Sequence, residues 1–171
     1  LCLPYIGLLL QFISRIIQPR RILEIGTFTG YSAICLAQGL REDGLIYTIE
    51  ANDEFRPIIY RHIEKAGLTQ KTVLLFGDAA EIVPELDETF DLIFLDAGKL
   101  DYAEHYALAL PKLNSGGFLL ADNVLWAGKV IHNEKDATAQ ALQRFNAMVQ
   151  ADEQVENLLL PLRDGLMLVR K

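Results

Sequence analysis

The chain has 171 residues, of which 51% are hydrophobic, and it carries a formal net charge of −7. This length suits one domain spanning residues 1–171 with a substantial core, the composition argues against disorder, and the acidic balance argues against the basic face that broad nucleic-acid binding needs. The two cysteines, Cys2 and Cys35, provide neither a disulfide framework nor a thiolate metal cluster, so we expect a reducing, cytoplasmic environment.

The opening stretch, LCLPYIGLLLQFISRII, is apolar enough to raise the question of a membrane segment. It has no basic start, and Gln11, Ser14 and Arg15 interrupt it, so we predict an amphipathic helix docked on a sheet and no membrane association. The predicted apolar face of this helix consists of Leu8, Leu9, Phe12, Ile13, Ile16 and Ile17. Because the chain begins with leucine, we expect that a further N-terminal segment precedes it.

Strand and helix patterns alternate along the rest of the chain. Apolar runs predict strands at 21–25, 44–50, 72–77, 90–96 and 116–122. Helical patterns follow at 30–38, 53–66, 79–86, 102–110 and 137–149. The last two runs, 155–161 and 165–171, flank an Asp164-Gly165 turn and should pair antiparallel. The sequence therefore predicts a doubly wound α/β fold with a Rossmann-like, mostly parallel sheet of seven strands and a C-terminal antiparallel hairpin.

Polar residues follow each of the first five predicted strands. They occur at 24–30, 50, 77–78, 96–99 and 122–123. In sheets of this kind, ligands bind beyond the carboxyl ends of the strands, where a half-buried carboxylate costs free energy unless a ligand or partner compensates it. We therefore expect the functional site along this edge of the sheet.

The first loop, GTFTG at 26–30, lacks the middle glycine of the G-x-G-x-x-G loop that binds dinucleotides. Phe28 fills the region that a pyrophosphate would approach. S-adenosyl methionine fits better, because it carries no phosphate and its sulfonium tolerates nearby acids. Glu50, 20 residues after Gly30, is suited to bind both hydroxyls of a ribose. The alternatives are that the loop at 26–30 is only a structural turn and that Glu50 is a solvated acid at the end of a strand.

A second set of residues follows strands four and five, which are neighbours in this topology. Asp96, Asp122 and Asn123 supply two carboxylates and an amide oxygen, a donor set suited to Mg²⁺, with Ca²⁺ or Mn²⁺ as alternatives. The ammonium of Lys99 would be disfavoured near a divalent cation, which suits a general base. Trp126 could stack on a planar substrate. In the simpler interpretation, Asp96 and Asp122 only stabilise their own loops, Lys99 is a surface residue at a helix start, and Trp126 packs within a loop that covers the site.

Four motifs occur in order: LEIGTFTGYSA, FDLIFLDAGKLDY, GGFLLADNVLWAGKV and LPLRDGLMLVRK. Together they resemble the cation-dependent O-methyltransferases, the group that contains caffeoyl-CoA and catechol O-methyltransferases. The resemblance spans about Leu8 to Lys171. It implies an enzyme that uses S-adenosyl methionine and a divalent cation, methylates a small phenolic, catechol-like acceptor and forms a homodimer.

The resemblance also assigns residues. The methionine part of the cofactor would contact Glu24, Gly26, Phe28 and Ser32. Glu50 would hold the ribose, Asp78 and Ala79 would border the adenine, and Thr27 and Ala51 complete the cofactor-binding set. Asp96, Asp122 and Asn123 match the metal ligands, Asp96 also touching the cofactor and joining the catalytic set. Lys99 matches the proposed base, and the substrate would meet Lys99 and Trp126.

Two departures from the family pattern bear on the acceptor. Gly98 stands where many members have a second aspartate, and the segment after Val130 is short, so a coenzyme A ester is not favoured. Gly98 fits related enzymes that methylate hydroxylated uridine in transfer RNA, an alternative that the net charge does not favour. A dehydrogenase of the NAD type and a domain that only binds S-adenosyl methionine are further alternatives. His62, His105 and His132 show no ligand spacing and are assigned to surface or packing roles.

Overall fold

The computed structural model describes residues 4–132 and 135–171. The α-helices are α1 Pro4–Ile17, α2 Tyr31–Ala37, α3 Arg56–Lys65, α4 Ala79–Glu85, α5 Tyr102–Ala109 and α6 Ala137–Ala151. The strands are β1 Arg21–Ile25, β2 Leu45–Glu50, β3 Thr72–Phe76, β4 Phe90–Leu95, β5 Leu113–Asp122, β6 Glu156–Leu160 and β7 Leu166–Arg170. Cys35 is a buried free thiol, and Cys2 lies outside the described residues.

The strands form one seven-stranded sheet in the order β3-β2-β1-β4-β5-β7-β6. β1 to β5 are parallel, and β7 runs antiparallel to both β5 and β6. The predicted fold and the terminal hairpin are therefore confirmed. β5 begins at Leu113, ahead of the predicted 116, because its pairing with β4 shifts register across the glycine pair Gly116-Gly117.

Helices cover both faces of the sheet, which explains the continuous apolar strands. Leu23 and Ile93 belong to the core cluster that includes side chains of α4, α5 and α6. Their neighbours Ile22 and Leu92 belong to the cluster that includes side chains of α1, α2 and α3. With both faces occupied, the carboxyl edge of the sheet is the place where polar side chains gather.

The N-terminal helix packs with only half of its predicted apolar face. Leu9, Ile13 and Ile17 are partly buried against the core, whereas Leu8, Phe12 and Ile16 are exposed together with Tyr5. Leu10 is fully buried, and so is Ser14, because its hydroxyl donates to the carbonyl of Leu36 in α2 at 2.6 Å. Small or hydrogen-bonded residues thus allow α1 to approach α2 closely. Tyr5, Leu8, Phe12 and Ile16 form an exposed apolar stripe.

The helices also bear on the membrane question raised by the opening stretch. Within the described residues, no helix combines the length and the hydropathy that crossing a bilayer requires.

Candidate active site

Two adjoining cavities open at the carboxyl edge of the sheet, with volumes of about 1170 and 530 Å³. Of the predicted site residues, the larger cavity is lined by Gly26, Thr27, Phe28, Ser32, Asp96, Lys99, Asn123 and Trp126. The smaller cavity is lined by Gly26, Phe28, Glu50, Ala51, Asp78, Ala79 and Asp96. The two cavities share Gly26, Phe28 and Asp96 in their walls, whereas the predicted site residues Glu24 and Asp122 line neither cavity.

The loop after β1 separates the two cavities and touches the loop after β4. Gly26 has a φ of 105°, and a Cβ at this position would lie 2.5 Å from the carbonyl oxygen of Asp96. Only glycine combines this conformation with this close approach. The N–H groups of Gly26 and Thr27 both donate to the carbonyl of Ile49, at 2.9 and 3.2 Å, which ties the loop to the end of β2.

Glu50 is held rigidly at the end of β2. Its Oε2 accepts the N–H of Phe28 at 2.6 Å, and its Oε1 accepts the N–H of Asn52 at 2.9 Å. An ionised carboxylate offers about four acceptor positions, so lone pairs remain for ligand hydroxyls. The side chain is 8% exposed and lines the smaller cavity. This geometry suits the ribose contact predicted for Glu50.

Glu24 lies beneath the first loop instead of in a cavity wall. Its side chain has no exposed surface, and its Oε2 accepts the hydroxyl of Thr48 at 2.5 Å. The hydroxyl of Thr48 in turn lies 2.5 Å from that of Thr27, so a buried chain of polar groups joins the strand to the loop. Burial raises the pKa of the Glu24 carboxyl to about 8, opposed by the nearby hydroxyls of Ser32 and Thr48.

Replacing Glu24 with glutamine is expected to flatten the dependence of stability on pH. Above pH 4.5 the unfolded chain loses the Glu24 proton, whereas the folded chain keeps it until about pH 8. The wild-type free energy of unfolding should therefore fall over this range, by at most about 1.4 kcal/mol per pH unit from this group. Urea unfolding of both proteins from about pH 5 to pH 8 measures the difference. Equal slopes would contradict it.

The smaller cavity is lined by Asp78 and by His105, for which the sequence predicted a surface or packing role. Asp78 caps α4 by accepting the N–H of Ala80 at 2.9 Å, as a helix-start aspartate commonly does. His105 of α5 lines the same cavity and is 6% exposed, and burial lowers its pKa. A neutral imidazole therefore faces the region predicted to hold the adenine. His62 is also placed at the site, in the wall of the larger cavity.

Lys99 and Asp96 form a nearly buried ion pair at the end of β4. Lys99 Nζ lies 2.7 Å from Asp96 Oδ1, and the two side chains are 10% and 12% exposed. Lys99 Nζ also donates to the hydroxyl of Tyr102 at 2.7 Å. The structure thus brings the predicted base and the first predicted metal ligand into direct contact.

Asp122 follows on the neighbouring strand and is 3% exposed. Leu95 pairs with Ala121, so Asp96 and Asp122 occupy equivalent positions just beyond that pair. Burial and, to a smaller extent, the negative charge of Asp96 together raise the pKa of the Asp122 carboxyl to about 6. Two acids held together in this way require a compensating positive charge when both are ionised.

Tyr102 was not predicted to have a role in the site, because its position in the sequence indicated only the start of a helix. Its ring is fully buried, and its hydroxyl lies 3.0 Å from the carbonyl of Leu95 and 2.9 Å from that of Asp122. Burial raises the pKa of this phenol well above its usual value, so the hydroxyl keeps its proton. Tyr102 therefore joins the ends of β4 and β5 and supports Lys99.

Asn123 and Trp126 lie on the loop that follows β5. Asn123 has a φ of 63°, and its N–H donates to Asp122 Oδ1 at 2.8 Å. Both residues line the larger cavity together with Asp96 and Lys99. Across this cavity, His62 Nδ1 donates to the carbonyl of Thr29 at 2.7 Å and fixes the far side of the first loop.

The residues at the ends of β4 and β5 offer oxygen atoms that could bind a cation. In the part of the chain that the structure describes, no three His, Cys, Asp or Glu side chains are grouped as metal ligands. The predicted set contains only two carboxylates, Asp96 and Asp122, with the amide of Asn123 as the third donor. Asp96 and Asp122 are close enough for the charge of Asp96 to contribute, after burial, to the raised pKa of Asp122, and an all-oxygen donor set fits a hard divalent cation.

Comparison with known proteins gives a consistent result. A sequence model of the family described as O-methyltransferase matches residues 5–171. A catechol O-methyltransferase from Niastella koreensis is 36% identical over 162 residues, which cover 92% of this chain and 73% of that protein.

Two solved structures extend the comparison to the fold. TomG, an O-methyltransferase from Streptomyces achromogenes involved in tomaymycin synthesis and solved with S-adenosyl methionine, is 35% identical with a TM-score of 0.91, over 96% of this chain and 78% of TomG. An O-methyltransferase from Bacillus cereus, in complex with S-adenosyl homocysteine, is 33% identical with a TM-score of 0.92. That alignment covers 99% of this chain and 82% of the Bacillus chain.

Proposed function

The chain belongs to the O-methyltransferase family and is an S-adenosyl methionine-dependent enzyme; we propose that it methylates one hydroxyl of a small catechol-like acceptor with the help of a divalent cation. The observation that carries the proposal is the ion pair of Asp96 and Lys99 in the wall of the larger cavity, with the buried Asp122 at the equivalent position of the neighbouring strand. Such a site combines a place for a cation with a group that can take a proton.

In this proposal, the two parts of the cofactor occupy different cavities. The methionine part lies against Gly26, Thr27, Phe28 and Ser32 in the larger cavity. The nucleoside lies in the smaller cavity, with the ribose on Glu50 and Ala51 and the adenine at Asp78 and Ala79. Glu24 supports the first loop from below through Thr48, and its contact with the cofactor is indirect. Asp96 touches both the cofactor and the cation.

The acceptor occupies the larger cavity beside Trp126. Asp96, Asp122 and Asn123 would hold the cation, which would supply positive charge that lowers the pKa of an acceptor hydroxyl. Lys99, in its neutral form, would take the hydroxyl proton. The acceptor oxygen would then bond to the methyl carbon while the carbon–sulfur bond of the cofactor breaks, with S-adenosyl homocysteine as the leaving group. Phe28 and Trp126 limit water at the reacting atoms, which strengthens the attraction between phenolate and sulfonium.

A chelator tests the cation directly. Methyl transfer from labelled S-adenosyl methionine to a panel of catechols and flavonoids should stop in excess chelator and return when Mg²⁺ is restored. Coenzyme A esters and transfer RNA complete the panel. Full activity in the chelator would remove the cation from the mechanism, and label transfer to transfer RNA with a steep salt dependence would favour the nucleic-acid alternative.

The proposal includes a homodimer in a reducing, cytoplasmic compartment. The exposed apolar stripe on α1 supports a contact with a second copy, since Tyr5 and Ile16 are 71% and 79% exposed. The free thiol of Cys35 is compatible with a reducing compartment. A monomer mass by light scattering at micromolar concentration would exclude the dimer.

A further inference from the structure

The turn between β6 and β7 packs on the loop that follows β5, here called the Trp126 loop and comprising residues 123–128. The N–H of Val124 donates to the carbonyl of Gly165 at 3.2 Å, and the N–H of Leu125 donates to the carbonyl of Asp164 at 2.8 Å. The carboxylate of Asp164 accepts a third N–H, that of Ala127. Two residues of the turn therefore satisfy three donors of the loop.

The conformation of the Trp126 loop needs such support. Asn123, Trp126 and Ala127 have φ values of 63°, 48° and 51°, in the left-handed region that side-chain-bearing residues avoid. Strain of this kind persists only where surrounding contacts hold the backbone. Two of the three residues are the predicted cation ligand Asn123 and the predicted substrate contact Trp126.

The turn is shaped for this contact. Gly165 has a φ of 84°, and a Cβ there would lie 2.5 Å from the Cγ of Leu125, so glycine allows the turn to touch the loop. On the other side of the loop, Asn146 of α6 donates to the carbonyl of Val124 at 2.9 Å. The Trp126 loop is thus held between the turn and α6.

The carboxylate of Asp164 is not needed to form the turn itself. The hairpin closes through its own backbone, with the N–H of Gly165 donating to the carbonyl of Leu162 at 3.0 Å. The side chain instead reaches out of the hairpin, to the residue directly after Trp126. This contact can be removed by substitution while the backbone contacts of the turn remain.

We propose that Asp164 is a positioning residue, whose carboxylate holds the Trp126 loop in the conformation that presents Asn123 to the cation and Trp126 to the acceptor. This role rests on the proposed function, because it assumes that the larger cavity receives both. The residue acts through the N–H of Ala127 and touches no reactant.

The experiment compares Asp164→Ala, Asp164→Asn and, as a matched control, Asp87→Ala, which removes an exposed carboxylate ahead of β4. Trp126 is the only tryptophan of the chain, so intrinsic fluorescence reports on the loop directly. Asp164→Ala should red-shift the emission and increase quenching by acrylamide about twofold. Asp164→Asn should resemble the wild type, because its amide oxygen still accepts the N–H of Ala127.

Kinetics with a catechol acceptor supply the second measurement. Asp164→Ala should raise the acceptor KM and the cation dissociation constant about tenfold, as losses of supporting contacts around metal sites do. Its affinity for S-adenosyl methionine should stay within about twofold of the wild type, and Asp87→Ala should change none of these values.

Three results would overturn the role of Asp164. They are unchanged quenching and KM in Asp164→Ala, an Asp164→Asn variant as impaired as the alanine variant, and an equal loss of cofactor affinity. A wild-type protein that methylates no catechol would instead overturn the proposed function. In that case the quenching comparison still decides whether Asp164 holds the loop.

Discussion

Replacing Asp122 with alanine is expected to reduce methyl transfer by at least about 100-fold, because changes one shell further from a metal already cost about 10- to 100-fold. In the proposed site this carboxylate is one of two that bind the cation. It is 3% exposed, and its pKa is raised to about 6 by burial and by Asp96. Its removal leaves Asp96 and Asn123 with too few donors to hold a divalent ion.

The affinity for S-adenosyl methionine separates this result from a general loss of structure. Asp122 is not among the described residues that line either of the two cavities proposed to hold the cofactor, so calorimetry should give nearly the wild-type dissociation constant for it. The fold should also tolerate the change, because alanine removes a charge that repels Asp96. Parallel loss of catalysis and cofactor binding would show that Asp122 is structural or belongs to the cofactor site.

Replacing Lys99 with methionine is expected to reduce the rate of methyl transfer by about 10²- to 10⁴-fold, the usual contribution of a positioned general base. Methionine keeps much of the apolar stem but cannot take a proton. Because Lys99 Nζ contacts both Asp96 and the hydroxyl of Tyr102, its position in the site is well defined. Single-turnover rates at saturating cofactor, cation and acceptor measure the chemical step.

Cation binding provides the internal control for this variant. Lys99 places a positive charge 2.7 Å from a predicted ligand, so its removal should preserve or strengthen cation affinity. Lys99→Arg should be as slow as Lys99→Met, because a guanidinium stays protonated. A Lys99→Met variant with the wild-type rate would show that another group accepts the proton.

The order of the sheet could be predicted only in part from the sequence. Continuous apolar runs and the Asp164-Gly165 signal correctly predicted a mostly parallel sheet with a terminal hairpin. A hairpin signal specifies that β6 and β7 pair, but either strand could then lie beside β5. The structure places β7 there, which brings the turn at Asp164 against the Trp126 loop.

The orientation of α1 shows a limit of counting apolar residues. The prediction turned the largest side chains inward, whereas the helix approaches α2 with Ser14, which a hydrogen bond to Leu36 makes compatible with burial. A pattern based on hydropathy treats serine as polar and cannot detect a specific acceptor on another element. The exposed apolar stripe, which includes Phe12, is the consequence.

The part of the candidate site that could be predicted consists of residues whose positions follow from the ends of parallel strands. Asp96, Lys99, Asn123 and Trp126 share one cavity because parallel strands end at the same edge. The depth of Glu24 was not predictable, since it depends on what covers the loop after β1. The role of Tyr102 could not be predicted, because its hydroxyl contacts backbone carbonyls on two different strands. No spacing of residues in the sequence indicates such a contact.

The phenol of Tyr102 has a consequence for how this enzyme can diversify. The hydroxyl of Tyr102 lies within hydrogen-bond distance of the carbonyls of Leu95 and Asp122, so it ties the ends of the paired strands β4 and β5 together independently of the loops beyond them. In the proposed site, a cavity-lining residue beyond the Trp126 loop, such as Thr138, can therefore be exchanged to alter the shape of the acceptor cavity while Asp96 and Asp122 keep their places on paired strands.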